Sequence, residues 1–221
     1  MTSFADAARR SGARSLAVFG DSITSGMSAS TPDRAWPAIL ARRLGVSLRN
    51  LGVPGTTMQA SPMADGKPKP GSGWARHRPD LIDTERTDLV AILYGFNDAR
   101  YIGAPRTFNL DGFIRDYRDV VSNLRAAGYA AHALCLGTPP HIPDAGFAVG
   151  TPGFTGQRRD VFDQFGAAIT AIAREFETFL APVSRRMAEV GGDALICDDH
   201  VHPDDAGHAV IADAFALAER A

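Results

Sequence analysis

Cysteine is scarce. The 221 residues contain two, Cys135 and Cys197, each in an apolar stretch ("HALCLG", "ALICDD"). Such thiols read as buried and reduced, so neither a disulfide framework nor a redox pair is expected. A basic excess is missing too: 23 Lys and Arg stand against 25 Asp and Glu, a formal net charge of −2. That removes the electrostatic footprint of a nucleic-acid partner. Long hydrophobic runs are also lacking. The run Leu16–Phe19 is far too short for a membrane span, and "MTSFADAARRSG" (1–12) has no apolar core after its charged residues. A cytoplasmic chain with no membrane partner is expected. No internal repeat or low-complexity tract is visible, and oligomeric state is not legible.

What is present is an ordinary globular composition, 45% hydrophobic. The length suits one domain over 1–221, with 1–13 expected to be a flexible or peripheral segment. Short apolar runs alternate with longer amphipathic ones, the signature of a βαβ chain with a parallel sheet. The expected strands are Ser15–Phe19, Ser47–Asn50, Leu89–Tyr94, Ala131–Leu136 and Glu177–Leu180. Thr31 is expected to cap a helix beginning at Pro32 and stopped by Gly45. "DGFIRDYRDVVSNLRAAG" sets Phe113, Tyr117, Val120, Val121 and Leu124 on one helical face, and Gly128 ends it. Further helices are expected over Arg158–Arg174 and Pro203–Arg220. The loops 61–79 and 137–157 are longer than connectors need to be, and both follow strand ends, where open α/β sheets place their ligands.

Four short segments carry candidate chemistry. In "SLAVFGDSITSG" an apolar strand stops at Gly20, and Asp21 and Ser22 follow at once. A strand-to-helix turn there would leave the Ser22 hydroxyl exposed at the sheet's carboxyl edge, with Asp21 holding the turn. Thr24 stands where the second glycine of G-x-S-x-G would be, which argues against that elbow. In "NLGVPG", Gly52 would let its backbone N–H approach a ligand. In "ILYGFND", the Asn97 amide sits where it could donate to a developing oxyanion. In "CDDHVHPDDAGH", Asp199 lies three residues before His202, close enough to hold one imidazole nitrogen and leave the other free for a proton. Taken singly, each segment also reads as a turn or a helix cap. His200, His202 and His208 also offer a metal-ligand reading, but it leaves Ser22, Gly52 and Asn97 unexplained.

"FGDSIT", "NLGVPG", "GFND" and "DDHVHP" occur in the order and spacing of the SGNH (GDSL-type) hydrolases, and the chain resembles that family over nearly its whole length. The resemblance implies a flavodoxin-like three-layer α/β/α sandwich with about five mainly parallel strands, and a serine esterase acting on a small-molecule ester without a cofactor. By position, Ser22 would be the nucleophile, His202 the general base and Asp199 its orienting acid, with the neighbouring Asp198 as the rival acid. The Ser22 and Gly52 N–H groups and the Asn97 side chain would form the oxyanion hole. Ile23 stands where the usual family name has leucine. Trp74, Phe96, Tyr101, Phe108, Phe147 and Phe154 are the candidate pocket walls. The basic residues between Lys67 and Arg78 fit either an anionic substrate or plain solubility. Short acyl or acetyl esters are the expected substrates. Longer acyl chains, as in a lysophospholipase or thioesterase, are the alternative, ahead of a metal-dependent hydrolase or a non-catalytic binding relic.

Overall fold

Leu89–Leu93 reads LVAIL and is buried at every position, as a central parallel strand covered on both faces must be. The computed structural model describes residues 2–60, 71–100, 109–149 and 157–221. Among these, the strands are β1 (Ser15–Gly20), β2 (Ser47–Gly52), β3 (Leu89–Leu93), β4 (Leu134–Gly137), β5 (Phe179–Ala181) and β6 (Glu219–Arg220). They form one sheet in the order β2-β1-β3-β4-β5-β6. The first five run parallel, and β6 pairs antiparallel with β5. The order 2-1-3-4-5 is the flavodoxin-like doubly wound one.

The helices are α1 (Phe4–Ser11), α2 (Ser22–Ser25), α3 (Trp36–Leu44), α4 (Gly73–His77), α5 (Phe96–Arg100), α6 (Leu110–Ala126), α7 (Asp144–Phe147), α8 (Arg159–Glu175), α9 (Val183–Val190) and α10 (Asp205–Ala216). α10 packs on α3 and α9, and α1 touches both α3 and α10; α6 packs on α4 and α8. These two groups are the outer layers of an α/β/α sandwich. α6 shows the sequence logic plainly: Phe113, Tyr117, Val120, Val121 and Leu124 are all buried, and Asn109 caps the first turn by accepting from the Gly112 N–H.

Several expectations are corrected. Residues 4–11 are not a flexible tail: Ser3 and Asp6 form a capping box, and the fully buried Phe4 lies 5.4 Å from the Phe179 ring, centroid to centroid. The helix expected from Pro32 is a 3₁₀ turn over Pro32–Arg34, and α3 begins only at Trp36, with no Thr31 side-chain cap. A continuous helix would need an N–H from Pro37 to the Asp33 carbonyl, and proline has none. At the other end, Asp204 rather than Pro203 sets the helix start, accepting from the Gly207 N–H. Pro203 instead bridges Ile196. The final helix stops at Ala216 so that the chain can add β6. Residues 131–133 are a 3₁₀ turn ahead of β4. Cys135 is buried as expected, whereas Cys197 is half-buried beside the loop that carries His202.

Candidate active site

β1 ends at Gly20, and the Asp21 carboxylate accepts from the Ile23 N–H, which starts the one-turn helix α2 with Ser22 as its first residue. The Asp21 side chain therefore does hold this turn. Its burial pushes the carboxyl up to about 7, against the bond from Ile23.

The loop after Ile196 brings a histidine to that serine. Asp199 Oδ1 accepts the backbone N–H groups of Val201 and His202, each at 2.9 Å, which fixes the loop. Its Oδ2 lies 2.6 Å from His202 Nδ1. His202 Nε2 lies 3.0 Å from Ser22 Oγ. An ionised carboxylate only accepts, so Nδ1 carries the proton and Nε2 is left to accept from the serine hydroxyl. Burial alone would raise the Asp199 carboxyl, but the His202 backbone, the His202 ring and the Val201 N–H outweigh it, and its pKa is lowered. Ser22 is 9% exposed.

A second set of bonds clasps the two halves together. Asp205, the first residue of α10, accepts from the Ser30 N–H at 2.8 Å and the Ser30 hydroxyl at 2.6 Å. The buried His208 accepts from the Trp36 N–H through Nδ1 (3.3 Å) and donates from Nε2 to the Met27 carbonyl (3.1 Å). Burial lowers the His208 pKa and keeps the ring neutral, as this pair of bonds requires. Of the three histidines considered together, His202 thus serves Ser22 and Asp199, His208 is a clasp, and His200 is exposed. Among the described residues, no group of three or more His, Cys, Asp or Glu side chains could hold a metal ion.

The oxyanion candidates divide. Asn97, on α5 just beyond β3, is buried and donates from Nδ2 to the Thr56 carbonyl at 2.8 Å, which leaves its second amide proton available. Gly52 is a correction. Its N–H already donates to Asn50 Oδ1 at 2.9 Å, and a Cβ there would lie 2.1 Å from the Ser25 nitrogen. Gly52 is glycine because α2 passes over it. The Gly55 N–H, by contrast, has no acceptor among the described residues. Gly55 turns at φ +74, is exposed, and directly precedes Thr56, the residue that holds Asn97. Both are glycines of "NLGVPG", but only the backbone conformation separates the packing glycine from the exposed one.

The proposed pocket walls fare less well. Phe96 is core, edge-on to Phe162. Phe147 is half-buried, packed on Phe162 and stacked by Arg159. Trp74 is exposed and donates to Asp119 of α6. Tyr101, Phe108 and Phe154 lie outside the described residues, as do Lys67 and Lys69. The other basic residues of that loop are engaged within the protein: Arg76 points inward, His77 is buried, and Arg78 pairs with Asp83.

Comparison with known proteins bears on the fold. The structure is similar to that of a lipase/acylhydrolase from Enterococcus faecalis, with a TM-score of 0.68 and 18% identity over 92% of this chain and 93% of the other. It is also similar to Axe2, an acetylxylan esterase from Geobacillus stearothermophilus, with a TM-score of 0.66 and 25% identity over 91% and 92%. A third similar structure is LAE5, an alpha/beta hydrolase from the metagenome of Lake Arreo, Spain (TM-score 0.65, 23% identity, 91% and 93% covered). No curated protein matches the chain in sequence. Residues 18–210, which span every segment of the site, match the model of the GDSL-like lipase/acylhydrolase family. The chain belongs to that family of hydrolases.

Proposed function

We propose that this hydrolase is a serine esterase that cleaves short-acyl carboxylic esters, acetyl esters above all, through an acyl-enzyme. The observation that carries this reading is the continuous hydrogen-bonded line from Asp199 through His202 to Ser22. The Ser22 oxygen attacks the ester carbonyl while its proton passes to His202 Nε2, and Asp199 stabilises the imidazolium that forms. The tetrahedral oxyanion is received by the N–H groups of Ser22 and Gly55 and by the Asn97 amide, donors fixed before the charge appears. As the carbonyl re-forms, the C–O bond to the alcohol breaks, and the alcohol leaves with the proton from His202. Water then repeats the sequence on the acyl-Ser22 ester, releasing the acid and restoring the serine.

The acetyl assignment rests on two supports. Ser22 is nearly buried, which suits a small acyl group, and Axe2 is by its description an acetylxylan esterase. Two solved Axe2 structures are catalytic mutants in which a serine and an aspartate are replaced by alanine, the residue types assigned here to Ser22 and Asp199. A series of p-nitrophenyl esters from acetyl to decanoyl, each measured with and without a chelator, tests the reading. kcat/KM should fall at least about tenfold from acetyl to octanoyl and ignore the chelator, since added methylenes must fit or be rejected. A maximum at octanoyl or longer would favour the lysophospholipase or thioesterase alternative. Loss of activity on chelation would favour metal-dependent hydrolysis, and no turnover of any ester would favour a binding relic.

A further inference from the structure

A buried cation beneath the site has a role that the serine–histidine–aspartate line does not use. Arg76, on α4, has a side chain 11% exposed and turned inward under the carboxyl ends of the strands. Its Nη2 donates to the Gly20 carbonyl at 2.9 Å, the Leu51 carbonyl at 2.6 Å and the Tyr94 hydroxyl at 2.8 Å. Nη1 is held by Asp80 at 2.6 Å, and the guanidinium carbon lies 4.2 Å from the centroid of the Phe19 ring. The chain of donors then has one direction. The Thr56 hydroxyl donates to the Val53 carbonyl, so Tyr94 O–H donates to Thr56 Oγ1, 3.1 Å away, and its oxygen accepts from Arg76.

The groups so bound are those that lead into the site. The Gly20 carbonyl precedes Asp21 and Ser22. The Leu51 carbonyl opens the turn that contains Gly55. Thr56 holds the Asn97 amide through its own carbonyl. We propose that Arg76 is a positioning residue for the esterase centre: its guanidinium fork locks the nucleophile turn and, with Tyr94 and Thr56, the oxyanion loop into one geometry. This inference rests on the serine-esterase reading above. A guanidinium that served only to satisfy its own donors would not be held this way. The Arg76 Nε–H is buried with no partner among the described residues, while a single Nη2, with two protons, serves three acceptors. The orientation therefore favours the loops over full satisfaction of the arginine. A lysine retains the charge but offers a point, not a planar fork.

The test uses Arg76→Lys and Tyr94→Phe. Each is titrated with a fluorophosphonate to count assembled sites, and kcat is then expressed per titrated site. The fork predicts full titration, KM within about threefold of wild type, and kcat down about 10- to 100-fold for Arg76→Lys, as displacement of reacting groups by an ångström would give. Tyr94→Phe, which removes the hydroxyl between Arg76 and Thr56 but leaves Arg76 on the Gly20 and Leu51 carbonyls, should lose about three- to tenfold. A purely structural arginine would lower the thermal midpoint and leave kcat per titrated site within about twofold of wild type in the folded variants, and that result overturns the proposal. If Arg76→Lys does not fold, Tyr94→Phe decides alone by the same criterion. Failure of the esterase reading is separately visible, because the wild type would then take no label.

Discussion

At the scale of the residue, the site is a matter of which atoms remain free. Asp198 and Asp199 are adjacent acids, but only Asp199 reaches His202 Nδ1. Asp199→Asn should therefore lower kcat by about 10⁴, while Asp198→Asn, without a place in that line, should change it by less than about threefold; steady-state kinetics of both variants check this. In the proposed mechanism Asn97→Ala removes one oxyanion donor, and it should cost about 10²–10³ in kcat with KM little changed. That Ser22, His202 and Asp199 would meet was legible in the sequence, because a serine just past a strand end and a histidine before a proline stand out, and an acid three residues back can reach that histidine. The choice between Gly52 and Gly55 was not. Two glycines three residues apart differ in φ, in the partner of the N–H and in what packs over them, and none of these leaves a mark in composition. The pocket walls were illegible for a related reason, since an aromatic ring near a strand end serves core and cleft equally, and Phe96 went to the core.

At the scale of the element, helix ends decide where the candidate catalytic groups sit. Asp204 takes the start of α10 and Asp205 then faces Ser30, so the same turn that begins the helix also clasps the loop after α2. His208 completes the clasp one turn later. His208→Ala leaves the Trp36 N–H without its partner and should cost about 1–3 kcal/mol of stability, read by urea denaturation at pH 8. The strands were legible to within a few residues, because buried parallel strands are unbroken apolar runs. α1 was missed because its eight residues present one apolar face built mainly of alanine, and β6 because two exposed residues have no periodicity to read. The Pro32 and Pro203 helix starts were misplaced for opposite reasons. Pro37 breaks the first helix downstream, and a better cap, Asp204, displaces the second.

At the scale of the whole molecule, buried carboxyls make stability depend on pH. Burial pushes Asp21 and Asp98 each up from 3.8 to about 7, so between these values the folded chain keeps protons that the unfolded chain has released. More protons on the folded side means that stability falls as pH rises across that window. His208 acts in the opposite sense: its pKa is lowered from 6.5, so stability is lost as pH falls below that value and the unfolded chain takes up the proton first. Asparagine caps a helix as well as aspartate does and carries no titrating proton. Asp21→Asn should therefore keep the Ile23 bond and be more stable than wild type at pH 8, with the advantage shrinking towards pH 4; urea denaturation at the two pH values checks it. The catalytic reading presupposes one thing, that the fold assembles an activated Ser22. Intact-mass analysis after treatment with a fluorophosphonate, on wild type and on Ser22→Ala, tests it most directly. The account predicts one adduct on the wild type and none on the variant. A folded wild type that takes no adduct, or a Ser22→Ala protein that is labelled equally well, would contradict it.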